Sequence, residues 1–313
     1  MTRIKKFKIL ILGCNGFFGK NFKKLLNKEE YEIICLDKQT IDFIDYKALN
    51  DFFQNTMPNI VIHCAGIVGS SEFNKLNNQF DILNTNIIIN SNILNCCKLC
   101  NVQKIFMFST YRMVSDDINA DYEETTLKYK LDNENQNSGY LLSKNILHEQ
   151  IRIYNQCEKG QITCFILSNV YGKYDTFSIN GRIIPSLIWK IQNAIQYNTN
   201  VEMNCNENTE INIIYINDII NIVEKCIQND VSGDIIVFNT EHIFTLQEIS
   251  QSIKSLMKFQ HDILFQNDIP FINSNIMKPN ISKFKKYFPD FEYTELLYSL
   301  KETVDYYISL QPN

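Results

Sequence analysis

The stretch ILILGCNGFFG at 9–19 passes from an apolar run straight into glycines at 13, 16 and 19, and then into a helical pattern. Strand, tight turn and helix therefore follow one another with almost no connecting chain, which is the opening of a parallel βαβ unit. Gly13 permits the tight turn. Gly16 lets the backbone approach an anion, and Gly19 allows close helix–strand packing, with the helix N-terminus facing that anion.

Short apolar runs alternate with helical segments through the first half of the chain. The pattern predicts strands at Lys8–Leu12, Glu32–Leu36, Ile60–His63, Lys104–Phe108 and Ile162–Leu167. Helices are predicted at about 17–28, 46–56, 80–100 and 138–157. Five buried strands separated by amphipathic helices predict an α/β fold, a Rossmann-type doubly wound parallel sheet. Asp37 ends the second strand, 18 residues after Gly19. An acidic side chain there hydrogen-bonds an adenosine ribose 2′-hydroxyl and repels a 2′-phosphate, which leans toward NADH over NADPH. Lys38 beside it softens that preference.

The second half reads differently. A polar loop occupies 172–181, and Pro185 opens a helix to about 197. Strand Ile211–Ile216, a helix from Asp218, strand Asp234–Phe238 and a helix from about 246 follow, with a last amphipathic helix near 293–309. Thr245 and Glu248 form a capping box. The expected division is a dinucleotide-binding domain over 1–170, to which 211–240 returns, and a smaller C-terminal α/β substrate lobe over 171–313.

Composition closes off other classes. No apolar run reaches the ~18 residues of a membrane-spanning helix. The N-terminal apolar run is too short for a secretory signal, so a cytoplasmic protein is expected. Thirty basic residues against 35 acidic give a net charge of −5, and the basic ones are dispersed, which argues against nucleic-acid and membrane-surface roles. Among ten cysteines, Cys97 and Cys100 make the only CxxC, with no second pair to complete a zinc site. A buried structural role is expected for these cysteines, and no metal.

Tyr140-Leu-Leu-Ser-Lys144 sets a phenol and an ammonium one helical turn apart. A neighbouring Lys⁺ favours the phenolate, bringing the tyrosine toward the range where it exchanges protons with a carbinol or carbonyl. Thr110, with Ser109 beside it, lies just beyond the fourth strand, at the carboxyl edge where ligands bind such sheets. His63 reads as a strand-end residue lining the sheet, and His148 as helix surface.

With these motifs in hand, the chain resembles the extended short-chain dehydrogenases/reductases of the NAD-dependent epimerase/dehydratase family. Within it, the chain is most similar to the GDP-fucose synthase-like nucleotide-sugar reductases. The resemblance runs from residue 8 to about 305 through GCNGFFG (13–19), HCAGIVGS (63–70), DILNTNIIINSNIL (81–94), KIFMFST (104–110), YLLSK (140–144), SNVYGKYDTF (168–177), RIIPSLI (182–188) and YINDI (215–219). It implies Tyr140 as general acid, Lys144 as the residue that tunes it and holds the ribose, and Thr110 as the hydroxyl on the substrate carbonyl. The cofactor set it implies is Gly13, Asn15, Gly16, Phe17, Phe18, Gly19, Asp37, Lys38, Asp42, Phe43, Ala65, Gly66, Asn86, Phe108, Ser168 and Val170, beside Tyr140 and Lys144. For the nucleotide-sugar it implies Val68, Gly69, Thr110, Arg112, Asn169, Arg182, Ile183 and Ser186. Pairing of the helices at 80–100 and 138–157 into a four-helix bundle implies a homodimer.

Two departures narrow the expected chemistry. The fucose synthase-like enzymes epimerise two carbons with a Cys shortly after the catalytic hydroxyl and a His before the V-I-P segment, and here those positions read Arg112 and Arg182. A guanidinium stays protonated and cannot take a carbon-bound proton at neutral pH. Sugar-nucleotide 4,6-dehydratases carry an acidic pair where this chain has Tyr111-Arg112. The leading expectation is therefore an NAD(P)H-dependent nucleotide-sugar 4-ketoreductase. The alternatives are a nucleotide-sugar 4-epimerase with retained NAD, which Asp37 favours and the short Asp37–IDFID spacing does not, and a non-catalytic dinucleotide-binding protein. GDP, UDP and dTDP remain open as the nucleotide.

Overall fold

The computed structural model describes residues 6–68, 79–111, 138–158, 160–268 and 279–311. In chain order the elements are β1 (Phe7–Leu12), α1 (Phe17–Leu25), β2 (Tyr31–Leu36), α2 (Tyr46–Thr56), β3 (Ile60–His63), α3 (Gln79–Leu99), β4 (Lys104–Thr110), α4 (Ser138–Cys157), β5 (Ile162–Leu167) and β6 (Asn169–Tyr171). They continue with α5 (Ile183–Tyr197), β7 (Val201–Met203), β8 (Glu210–Ile211), β9 (Ile213–Tyr215), α6 (Ile216–Gln228), β10 (Ile235–Val237), β11 (Phe244–Thr245), α7 (Leu246–Leu256), β12 (Ile263–Phe265), α8 (Ser282–Tyr287) and α9 (Leu296–Ser309). These residues fall into two compact units. One holds 6–111, 138–166 and Ile219–Ile236, and the other holds Leu167–Asp218 and the residues from Val237 onward.

The first unit is built on a six-stranded sheet of order β10-β5-β4-β3-β1-β2. Strands β2, β1, β3 and β4 pair in parallel, with Leu36, Leu12, His63 and Met107 in register. Alternation along each strand sends side chains to both faces, and both are apolar, as a helix-covered parallel sheet requires. On one face Leu10, Leu12, Val61 and Met107 meet Phe53, Ile93, Leu147 and Ile151 from α2, α3 and α4. On the other, Phe108 packs against Phe18 and Phe22 of α1 and Phe165 of β5, with ring centroids 5.1, 5.7 and 6.4 Å apart. Asp45 caps α2 by accepting the Ala48 N–H, replacing a donor partner the first turn lacks. The Rossmann-type doubly wound sheet expected from the sequence is the fold observed.

The second unit contains three two-stranded pairings: β6 with β9 and β7 with β12 in parallel, and β8 with β11 antiparallel. The Thr245–Glu248 capping box opens α7 as expected. The strand expected over Ile211–Ile216 is instead divided at Asn212. That residue is buried, donates through Nδ2 to Thr240 O and lies with Oδ1 3.1 Å from Ser168 Oγ, so a polar residue interrupts the apolar run. Helix α5 starts two residues before Pro185, since proline is tolerated in a first turn whose N–H groups have no helical acceptor. The last helix starts at Leu296 rather than 293 because Tyr293 and Thr294 are committed elsewhere. Tyr293 Oη donates to Asn239 O, and Thr294 donates through N and Oγ to Asp218. No described helix is long and apolar enough to cross a membrane.

Candidate active site

The parallel register brings the carboxyl ends of β1 to β4 to one edge of the first unit, so Gly13, Asp37, Ala65 and Thr110 arrive there from four consecutive strands. Gly13 turns the chain at φ +79°, and a Cβ on it would stand 2.8 Å from Ala65 N, too close for any other residue. Gly19 is equally constrained: a Cβ there would lie 2.3 Å from Gly13 O. Gly16 differs, because an added Cβ would meet only Gly13 O at 3.4 Å. Its missing side chain leaves space in front of α1, whose N-cap is Gly16 and which has neither a side-chain cap nor an acidic residue in its first turn. A helix N-terminus with that clearance suits the pyrophosphate of a dinucleotide.

Asp37 lies at the tip of β2. Its carboxylate accepts the N–H groups of Gln39 (2.9 Å) and Thr40 (3.1 Å) and the Asn15 side-chain amide, which fixes it at the place where an adenosine ribose would sit. Lys38 is exposed beside it, and Asp42 accepts the Ile44 N–H in the following turn. Phe43 is buried in the core, so only its main chain is available to a cofactor. The Phe108 ring is likewise spent on packing, while its carbonyl accepts Lys144 Nζ at 2.9 Å.

Thr110 is the last residue of β4, two residues further than the strand expected from the sequence, and it is partly exposed while Ser109 is buried. On α4, Lys144 Nζ lies 5.8 Å from the centroid of the Tyr140 ring, so the ammonium faces the phenol as the one-turn spacing predicts. Burial lowers the Lys144 pKa from its ordinary value, the nearby Cys164 and Cys64 opposing only in part. Two residues not anticipated from the sequence set this helix. Gly139 N–H donates to Gln79 Oε1 at 2.7 Å, and a Cβ on Gly139 would lie 2.1 Å from Gln79 O. The first turn of α4 thus rests directly on the first residue of α3, next to Tyr140.

Asn86 has a more specific duty than lining the cofactor. Oδ1 accepts the Ile67 N–H at 2.7 Å, while Nδ2 donates to Ile67 O at 3.0 Å and to Ser143 Oγ at 3.3 Å. It clamps the loop that carries Ala65, Gly66 and the exposed Val68 onto α3 and α4. His63 ends β3, buried, with Nε2 at 2.9 Å from Asn90 Oδ1. His148 is not on the surface as its polarity suggested. It is 2 % exposed, because positions 144, 147, 148 and 151 share one face of α4 and Leu147 and Ile151 carry that face into the core. Neither His148 ring nitrogen has a hydrogen-bond partner, and neither does His63 Nδ1. Burial first, with Lys144's charge adding to it, lowers both imidazoles to about 4. Cys96, Cys97 and Cys100 are buried thiols in the core, in the structural role expected for them.

In the second unit Ser168 Oγ donates to Asn239 Oδ1 at 2.7 Å, and Asn169 Nδ2 donates to Asn212 O at 2.9 Å. Val170 is buried. Arg182 precedes α5 and donates through Nη2 to Asp175 Oδ1 at 2.6 Å. Ile183 is half-buried, and Ser186 Oγ donates to Ile179 O at 3.1 Å. Gly69 and Arg112 lie outside the described residues.

A doubly wound sheet with a glycine-lined helix N-terminus, an acidic residue at the tip of β2 and a Tyr–Lys pair one helical turn apart on α4 is the arrangement of a dinucleotide-dependent enzyme of the short-chain reductase type. The comparisons agree: residues 9–239 match the family described as "NAD dependent epimerase/dehydratase family". The chain belongs to the NAD-dependent epimerase/dehydratase family, and with that membership come an NAD(P) cofactor and the class of epimerases and oxidoreductases that use one. It is 32 % identical over 192 residues to a GDP-L-colitose synthase of Yersinia pseudotuberculosis, an alignment covering 60 % of this chain and 61 % of that protein. It is 24 % identical over 306 residues to a GDP-L-fucose synthase of Dictyostelium discoideum, covering 96 % and 95 % of the two. A GDP-L-fucose synthetase of Naegleria fowleri bound to NADP superposes with a TM-score of 0.84 at 24 % identity, over 99 % of this chain and 95 % of that one.

Proposed function

We propose that this protein reduces the 4-keto group of a nucleotide-linked 4-keto-6-deoxy sugar with NAD(P)H, without epimerising the neighbouring carbons. The observation that carries the proposal is Lys144 Nζ, anchored on Phe108 O at 2.9 Å and facing the Tyr140 ring one helical turn away. When bound, the reduced cofactor supplies hydride to the carbonyl carbon. Thr110 donates a hydrogen bond to the carbonyl oxygen and holds it for attack. Tyr140 transfers its phenolic proton to that oxygen as the charge develops, and Lys144 stabilises the phenolate left behind. Arg112 and Arg182 replace the two groups that would move carbon-bound protons, so reduction proceeds alone. The relatives described above are named for GDP-linked sugars, which supports a nucleotide-sugar substrate.

Asp37, with its charge held by two main-chain N–H groups and Asn15, supports NADH over NADPH. The same observation supports the second reading, a 4-epimerase that oxidises and re-reduces one carbon with retained NAD. The test is absorbance at 340 nm with purified protein, NADH or NADPH, and a panel of GDP-, UDP- and dTDP-linked 4-keto-6-deoxy sugars. Stoichiometric loss of reduced cofactor with one of them is expected. No consumption, together with NAD released on denaturation, would overturn the reductase in favour of the epimerase.

We also infer a homodimer formed through α3 and α4, which pack on each other and leave Phe80 74 % and Ile153 51 % exposed. Light scattering at twice the chain mass is expected; the mass of a single chain would contradict it. Ten free thiols support a reducing, cytoplasmic setting.

A further inference from the structure

Asp175 is a carboxylate in an unfavourable position. Its side chain is 1 % exposed. Oδ1 accepts Arg182 Nη2 at 2.6 Å and the Thr176 N–H at 2.7 Å, whereas Oδ2 has no hydrogen-bond partner. Burial raises its pKa above the ordinary carboxylate value, with Arg182 and Thr176 opposing only in part. A buried ion pair with an unsatisfied oxygen is a poor way to stabilise a fold, so its use lies in the geometry it imposes.

The surrounding loop is built to hold that geometry. Tyr174 sits at φ 66°, a left-handed conformation that non-glycine residues rarely adopt and that structures retain where neighbours enforce it. The enforcement comes from α9: Tyr174 packs on Tyr306 with centroids 4.9 Å apart, Phe177 stacks on Tyr307 at 4.7 Å, and Lys173 pairs with Glu302 at 2.5 Å. Arg182, by contrast, keeps 44 % of its side chain exposed. It is the N-cap of a 15-residue helix with no acidic residue in its first turn and no side-chain cap. A planar guanidinium fixed at the positive end of a helix matches the paired oxygens of a diphosphate.

Resting on the nucleotide-sugar reading above, we propose that Asp175 is a positioning residue that aims Arg182 at the diphosphate of the substrate. Asp175 supplies orientation and Arg182 supplies the contact. The two are therefore energetically coupled in binding, which a loop residue needed only for folding would not be.

Calorimetric titration of the full-length protein with GDP, UDP and dTDP tests this on the wild type, Asp175→Asn, Arg182→Ala and the double variant. With the nucleotide that binds most tightly, Arg182→Ala is expected to weaken affinity about tenfold or more, the scale of one charge-assisted contact. Asp175→Asn preserves the shape and the Thr176 acceptor, and is expected to weaken affinity about fivefold alone but under about twofold when Arg182 is absent. Equal losses in both backgrounds, or an unchanged affinity in Arg182→Ala, would overturn the proposal and leave the reductase reading standing. Failure of the wild type to bind any of the three would remove both. Thermal melting gives a second readout. Arg182→Ala strands a buried charge, so Asp175→Asn is expected to raise Tm in that background and lower it in the wild type. A shift of the same sign in both would contradict the pairing.

Discussion

Tyr140→Phe is expected to lower kcat for NAD(P)H-dependent ketone reduction by about 100- to 10,000-fold, the contribution of a positioned general acid. The substitution removes one oxygen and leaves the ring, so the contact with Lys144 and the close seat of Gly139 on Gln79 are retained. Cofactor affinity, read from NADH or NADPH fluorescence, is therefore expected to change by less than about threefold, because the glycine turn and Asp37 are untouched. Lys144→Met should lower kcat to a similar degree and weaken cofactor binding as well, since its ammonium is the residue assigned to the ribose. A Tyr140→Phe protein retaining a tenth or more of the wild-type kcat would show that the proton comes from elsewhere.

Acid should destabilise the first unit well before its carboxylates titrate. His63 and His148 are both lowered to about 4 by burial, with the Lys144 charge adding to it, while an unfolded chain holds its imidazoles near 6.5. The unfolded state binds the extra protons, so stability is at its full value above pH 6.5 and is lost as pH falls from 6.5 toward 4. A shift of that size corresponds to about 3 kcal/mol for each histidine by the bottom of the window. His148→Leu should remove its share. The variant gains an apolar group where two ring nitrogens have no partner, so it is expected to match or exceed the wild-type Tm at pH 7 and to lose less between pH 6.5 and 4.5. An identical pH dependence of Tm in the two proteins would rule out His148 as a source of the acid sensitivity.

The sheet was legible because a doubly covered parallel strand has a simple signature. Ile60–His63 and Ile162–Leu167 are apolar apart from His63 and Thr163, every position is buried, and their boundaries can be read to the residue. The second unit resisted because its strands are two or three residues long, too short for any period, and Asn212 placed a buried polar side chain where an apolar one would have completed the pattern. At the site, the groups with fixed spacing were accessible: three glycines, the acid at the tip of β2, the Tyr–Lys pair. What was hidden were partnerships across the chain. The links of Gln79 to Gly139, Asn86 to Ile67 and Asp175 to Arg182 each join residues whose types are common in loops and helix ends. His148 was misjudged on polarity alone, although its spacing from Leu147 and Ile151 held the correct answer.

The outermost place in the sheet beside β5 is taken by β10, drawn from 235–237 after the chain has passed through the second unit. During synthesis β5 leaves the ribosome roughly seventy residues before its neighbour exists, at elongation rates that amount to several seconds. For that interval an apolar strand, every residue of which ends up buried, presents an open edge, and the Cys164 N–H waits for the Asp234 carbonyl that will receive it. Nascent chains are most vulnerable to mispairing in that window. Lys104 then closes it from the opposite end of the neighbouring strand, gripping the carbonyls of Cys226 and Ile227 and the carboxylate of Asp230 so that the late-arriving segment is fastened where it lands.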